Sequence, residues 1–196
     1  MTSVEHLAVA LIAAGRSARF GAADKLCAPL GGKSLIEWAA QAGRAIDAAQ
    51  HFAVTAPDFP PHHCPAGYAL LRNPDAAEGM AASLRIAARH ARGTGATALL
   101  VLLGDMPLVR PAHLAALIAA FADDPALPVF TRVPRGAPQP PALFPAALLP
   151  ALEVLSGDAG ARGLARGAAF VEADPEQLVD VDTEADLALC ARLIGV

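Results

Sequence analysis

Residues 11–25, Leu-Ile-Ala-Ala-Gly-Arg-Ser-Ala-Arg-Phe-Gly-Ala-Ala-Asp-Lys, place three cations, a hydroxyl and two glycines directly after an apolar run, Leu7 to Ile12. Glycine lets a backbone approach a ligand closely and turn its N–H groups inward, and such concavities bind phosphates. Arg16, Arg19 and Lys25 are three of the chain's fifteen Lys and Arg residues, and only Asp24 opposes them locally. The chemistry to expect is the holding of a polyanion. A second group is Gly104-Asp105-Met106-Pro107, which follows the apolar run Leu99 to Leu103. A carboxylate there offers a hard oxygen ligand of the kind Mg²⁺ takes beside phosphates. A third lies at Asp180-Val181-Asp182-Thr183-Glu184-Ala185-Asp186, where Asp182 could add a metal ligand or act as a helix N-cap. Asp180 and Asp186 read as solvated or helix-stabilising.

Neither of two common phosphate motifs fits the first loop. Five residues separate Gly15 from Gly21 and Lys25 lies four further on, so the spacing G-x-x-x-x-G-K-[ST] is absent, as is G-x-G-x-x-G. An ordinary glycine turn with solvated arginines is the alternative. For Asp105 the alternative is a turn cap before Pro107.

These groups need a frame that brings three loops together. Short β-rich runs alternate with helical stretches, which predicts an α/β protein with a mostly parallel sheet. Strands are expected at Leu7–Ile12, His51–Thr55, Tyr68–Arg72, Ala98–Leu103, Pro128–Arg132 and Ala168–Glu172. Helices are expected at Ser34–Ala48, Gly79–Ala91, Pro111–Ala122, Pro145–Leu155 and Thr183–Ile194, the last opened by a Thr183/Asp186 capping box. In such sheets ligands gather at the carboxyl ends of the strands, where the first loop and Asp105 would both lie. Pro57 to Pro65 reads as a surface loop, and Pro134 to Pro141, with four prolines in eight residues, as neither helix nor central strand.

The 196 residues suit one domain, spanning residues 1–196. The composition is 55% hydrophobic and 17% charged, which suits a folded chain, and the net charge of −4 argues against non-specific nucleic-acid binding. Three scattered cysteines (Cys27, Cys64, Cys190) make no zinc or disulfide pattern and suggest a reducing cytoplasm. No stretch of 18 apolar residues suggests a membrane span. His62-His63-Cys64 reads as surface loop, His90 and His113 as exposed helical residues, and Trp38 and Phe121 as core.

Taken in order, the first loop, Asn73-Pro74 with Glu78-Gly79-Met80 and Ser83-Leu84, Gly104-Asp105-Met106-Pro107, Gly157-Asp158-Ala159-Gly160-Ala161-Arg162 and the Asp180–Asp186 segment resemble the molybdenum-cofactor nucleotidyltransferases. Within them the chain is most similar to the CTP:molybdopterin cytidylyltransferases. The resemblance spans roughly residues 7 to 194. It implies a three-layer Rossmann-like nucleotidyltransferase fold with a mostly parallel central sheet, and a nucleotide site of Ala13, Ala14, Gly15, Arg16, Ser17, Gly21, Asn73, Gly79, Met80 and Ser83, with Lys25, Arg19 and Asp105 catalytic. It also implies Mg²⁺ on Asp105 and Asp182, and an acceptor site including Gln139, Pro140, Asp158 and Arg162. Ile12-Ala13-Ala14-Gly15 matches the CTP-using Leu-Ala-Ala-Gly pattern, with Ile for Leu. Where the family usually has Gly-His-Pro, this chain has Gln139-Pro140-Pro141, which touches the acceptor more than the nucleotide.

The expected reaction is attack of an acceptor phosphate, here that of molybdopterin, on the α-phosphorus of CTP with release of pyrophosphate. The nucleophile is already anionic, so positioning and positive charge matter more than a dedicated base. A molybdenum hydroxylase is the implied transient partner. A transferase using GTP, another nucleotide or another phosphorylated acceptor is one alternative. A catalytically silent nucleotide-binding chaperone is another.

Overall fold

The computed structural model describes residues 4–15, 24–157 and 160–196. Arg16, Ser17, Arg19, Gly21 and Asp158 lie outside the described residues.

The first strand, β1 (Leu7–Ala13), is buried at every position because it runs through the middle of a seven-stranded sheet. Its side chains alternate between two apolar layers. Leu7, Val9 and Leu11 pack with Leu35, Ile36, Leu114 and Leu117 on one face. Ala8, Ala10 and Ile12 pack with Leu84, Ala87, Ala88 and Leu149 on the other. A strand covered on both faces reads as one continuous apolar run.

A hairpin, β2 (Pro29–Leu30) and β3 (Lys33–Ser34), follows, then helix α1 (Leu35–Arg44). Strands β4 (Gln50–Thr55) and β5 (Ala69–Arg72) lead to α2 (Met80–Gly93), β6 (Ala98–Leu103) and α3 (Pro111–Asp123). Strands β7 (Val129–Arg132) and β8 (Gln139–Pro145), the short α4 (Leu149–Leu152), β9 (Ala169–Glu172) and α5 (Glu184–Ile194) complete the order. The sheet order is β5-β4-β1-β6-β8-β7-β9, with β8 antiparallel to its neighbours and the other pairings parallel. This is a mostly parallel α/β arrangement, as the alternation of elements predicts, and Rossmann-like, as the resemblance implies. Loops after β1, β5 and β6 therefore open on one edge.

Three expectations need correction. Gln139, Pro140 and Pro141 belong to β8, which lies between β6 and β7. The prolines are accommodated because pairing with β6 ends at Val101–Ala142, and pairing with β7 jumps from Phe130–Ala142 to Thr131–Gln139. Pro140 and Pro141 fall in that irregularity, where no ladder N–H is required of them. The helix expected over Pro145–Leu155 is a single turn, since Pro145 ends β8 and Pro150 can sit only in a first turn. His113 is buried, not exposed: its Nε2 lies 2.8 Å from Thr131 Oγ1, which donates at 2.6 Å to the Pro141 carbonyl. Thr131 has one proton and spends it on Pro141, so His113 is the donor to Thr131.

Phe121 is core as expected, whereas Trp38 is half-buried and donates its indole N–H to the Leu30 carbonyl. The Thr183/Asp186 capping box is present: Asp186 N–H donates to Thr183 Oγ1 at 3.2 Å and Thr183 N–H to Asp186 Oδ2 at 2.8 Å. Among the described residues, no helix is long and apolar enough to cross a membrane.

Candidate active site

The ends of β1 and β6 meet closely. Gly104 N–H donates to the Ile12 carbonyl at 2.8 Å, and a Cβ on Gly104 would stand 3.1 Å from Ala13 Cβ. Glycine at this position lets β6 turn directly against β1 and present Asp105 beside the first loop. The segment of the third acidic group then docks here, Val181 N–H donating to the Asp105 carbonyl at 3.0 Å. Val181 is fully buried, and the alternation along the chain sends Asp180 and Asp182 the other way, toward Asp105.

Lys25 reaches the same point from a 3₁₀ turn, Lys25–Cys27, which Asp24 caps by accepting from Leu26 N–H at 3.0 Å. Its ammonium donates to Asp105 Oδ2 at 2.9 Å and to Asp182 Oδ1 at 3.0 Å, with only 5% of its side chain exposed. Burial pulls the Lys25 pKa down. The Asp105 charge and hydrogen bonds to Asp105 and Asp182 more than offset that, so it ends raised and the ammonium stays charged.

Asp180 is exposed, as the sequence reading has it, and also faces Asp105. It keeps solvent contact, yet the protein around it and then the Asp105 charge push its carboxyl up to about 7, with Lys25 opposing. Asp105 Oδ1 is buried and has no hydrogen-bond donor. A proton shared with Asp180, or a cation, is what would satisfy that oxygen. The helix cap is Thr183 rather than Asp182, which leaves the Asp182 carboxylate to Lys25.

Two adjoining cavities lie beside this cluster, Asp105 lining one and Asp180 the other. One, of about 340 Å³, is lined by Ile12, Ala14, Gly15, Ala76, Ala77, Gly79, Met80, Ser83, Leu103 and Asp105. It collects most of the described residues expected around a nucleotide. Its floor is the first turn of α2, whose N-cap Gly79 offers no side chain to the unpaired N–H groups and takes φ 87°, ψ −164°, a conformation open to glycine. Such a terminus attracts anions. Asn73 lies behind the wall, fully buried: its amide donates to Ser83 Oγ at 3.0 Å and its carbonyl accepts from Asp75 N–H at 3.0 Å. Ala13 is likewise buried behind, against Gly104.

The other cavity, of about 200 Å³, shares Met80 and Leu103 with the first. Its walls are apolar (Leu84, Val101, Met106, Phe130, Ala142, Phe144, Leu178), and its polar groups come from Gln139, Arg162 and Asp180. Pro140 also lines it, so the structure brings together Gln139, Pro140 and Arg162 from two distant segments. Sequence reasoning missed Asp180 and the apolar wall. The Val-Asp-Val-Asp alternation before a capped helix was the signal available for Asp180. A further depression of about 270 Å³ between α1 and α5 contains none of the expected site residues.

The carboxylates are hard oxygen donors suited to Mg²⁺ or Mn²⁺, and the orphaned Asp105 oxygen fits a cation. Among the described residues no three acidic, His or Cys side chains form a ready metal cage. Mg²⁺ is commonly held by one or two carboxylates together with substrate phosphates, so this donor set fits an ion that arrives with a nucleotide.

A parallel-sheet frame with an anion-attracting helix end and a Lys–Asp cluster is the layout of a nucleotide-handling transferase. The profile of the MobA-like NTP transferase domain matches residues 9–176, and the chain belongs to that family, whose activity is of the nucleotidyltransferase type. It is 28% identical to the purine catabolism protein PucB of Bacillus subtilis (strain 168) over 206 residues, covering 97% of this chain and 98% of that protein. Among solved structures it resembles Rv0371c of Mycobacterium tuberculosis H37Rv in complex with manganese (21% identity, TM-score 0.71, 95% and 98% of the two chains). It also resembles 2-C-methyl-D-erythritol 4-phosphate cytidylyltransferase of Thermus thermophilus (22% identity, TM-score 0.69, 95% and 98%).

Proposed function

We propose that the protein transfers CMP from CTP to the terminal phosphate of a molybdopterin-type cofactor and releases pyrophosphate. The observation that carries this reading is the Lys25–Asp105–Asp182 cluster, whose Asp105 lines one of two adjoining cavities while the neighbouring Asp180 lines the other. The larger cavity, over the α2 terminus, takes the nucleotide, and the apolar one takes a flat acceptor whose phosphate faces Arg162. Ala14 at the nucleotide wall supports cytosine as the base, by the Leu-Ala-Ala-Gly resemblance. A molybdenum hydroxylase is the proposed recipient of the product, by the same resemblance.

An acceptor phosphate oxygen attacks the α-phosphorus in line. The new P–O bond forms as the bond to the β-phosphate bridge breaks, and pyrophosphate leaves with the electron pair. Two anions must meet, so the protein's work is electrostatic. The α2 N–H groups and Lys25 draw the triphosphate in. Arg19, with Arg16, Ser17 and Gly21, is assigned to the same triphosphate, and Asp158 to the acceptor side. Asp105 and Asp182 would hold Mg²⁺, which when bound neutralises charge on the phosphates.

Gln139 and Pro140 in the acceptor wall favour one second reading, the same transfer to a different phosphorylated acceptor. The test is pyrophosphate release with Mg²⁺, each nucleotide in turn, and molybdopterin. Release with CTP alone is expected. Release only with another nucleotide or acceptor supports the second reading, and binding without turnover refutes both. An Asp105→Asn variant with full activity would remove Asp105 from the site.

A further inference from the structure

We propose that Lys25 is an internal counter-ion: its ammonium holds the cation position between Asp105 and Asp182 in the ligand-free chain, and a divalent ion enters only as nucleotide phosphates draw that ammonium away. The inference rests on the metal site of the nucleotidyl-transfer reading and adds an order of events to it.

The geometry is specific. The Lys25 ammonium is nearly sealed from solvent and touches one oxygen of each carboxylate, at 2.9 and 3.0 Å. A divalent ion bridging the same carboxylates would stand beside a fixed positive charge, and at such separations like charges repel strongly. Asp105 presents Oδ2 to the lysine and leaves Oδ1 without a donor, so this carboxylate is satisfied at one oxygen and open at the other. The described residues supply no third ligand of cage geometry. An ion entering alone would therefore meet an occupied site, and one incomplete among the described residues.

Phosphates relieve both deficits. They offer new acceptors for the ammonium and new oxygen ligands for the ion. Lys25 can make the change without moving its backbone. Its position is anchored by the Asp24 cap and the buried Leu26, while its four-carbon stem is flexible. Asp105 itself lines the nucleotide cavity, so the distance to be covered is short. Metal and nucleotide should then bind cooperatively, each raising affinity for the other.

The test titrates Mn²⁺ alone into nucleotide-free protein and reads the free ion by its paramagnetic resonance signal. Wild type and Lys25→Arg should bind weakly. Lys25→Met should bind about tenfold tighter or more, as removal of a like charge beside a cation site requires. Adding Asp105→Asn to Lys25→Met should abolish the gain. Equal or weaker binding by a folded Lys25→Met variant overturns the proposal. If wild type still releases pyrophosphate from CTP in that case, only the counter-ion inference falls. If it releases none with any nucleotide, the nucleotidyl-transfer reading falls with it. Wild type offers a second measurement, because Lys25 and Lys33 are the chain's two lysines. With ¹³C at the lysine ε-carbon, Mg²⁺ alone should leave the Lys25 signal in place, and Mg²⁺ with CTP should shift it while Lys33, which sits over Trp38, stays unmoved. A Lys25 signal that stays unmoved with Mg²⁺ and CTP together also overturns the proposal.

Discussion

Substituting Gly104 by alanine tests whether the close approach of β6 to β1 is what positions Asp105. The new methyl would lie 3.1 Å from Ala13 Cβ and 3.4 Å from the Ile12 carbonyl oxygen, against about 3.5–4.0 Å for relaxed carbon contacts. One side must give by a few tenths of an ångström. Ala13 is 3% exposed and ends a strand paired on both sides, so it cannot yield readily. Overpacking of this kind costs about 1–3 kcal/mol, while alanine's smaller unfolded-state entropy returns about 0.4–1 kcal/mol. The net loss should be about 1 kcal/mol, or about 2–4 °C in Tm for a chain of this length. The larger consequence is catalytic. Gly104 bonds to Ile12 and the adjacent Asp105 carbonyl holds Val181, so a displaced turn shifts Asp105 relative to Lys25 and Asp182. Misplacement by about 1 Å can cost about a hundredfold in rate, and a few tenths should cost about tenfold. Thermal melts and pyrophosphate release measure the two effects. Ala13→Gly, which removes the atom struck, should recover most of the lost activity in the double variant, a coupling that a double-mutant cycle isolates. A Gly104→Ala protein that melts and turns over like wild type, or a double variant no better than the single, refutes the reasoning.

Three further outcomes are expected. Burial holds the His113 pKa below its ordinary 6.5. Its contribution is therefore complete above about pH 6.5 and is lost as pH falls and the unfolded chain takes the proton first. Between pH 7.5 and 5 the Tm of His113→Gln should fall less steeply than that of wild type, and identical slopes would show that His113 carries no such linkage. Arg162→Ala should raise the acceptor KM while leaving the CTP KM near its wild-type value, and an equal rise in both would take Arg162 out of acceptor binding. Thr183→Ala removes the cap at the start of α5 and should cost about 1 kcal/mol in urea unfolding, with less than a few tenths counting against the capping box.

Much of this protein was legible in its residues. The continuous apolar runs at Leu7–Ala13 and Ala98–Leu103 mark strands buried on both faces, and the sheet places them side by side. Thr183 and Asp186 specify a helix start because capping is local, decided by residues three apart. Gly104-Asp105 and Gly79-Met80 marked the edge where ligands collect, because glycine leaves a signature in sequence wherever backbone must turn or approach closely.

What tertiary structure decided is everything set by long-range pairing. Prolines argued against a central strand at 139–141, yet the register of β8 puts Pro140 and Pro141 where no ladder N–H is demanded. His113 read as a solvated helical residue, and only the packing of α3 on β7 buries it against Thr131. Lys25, Asp105 and Asp182 were each legible as charged groups. That the lysine lies between the two carboxylates, rather than out toward solvent, follows from the return of residues 180–182 to the edge of β6. Periodicity and capping act over a few residues, whereas the partner of a buried charge is fixed by whichever distant segment the fold brings within about 3 Å, the range of a charge-assisted hydrogen bond.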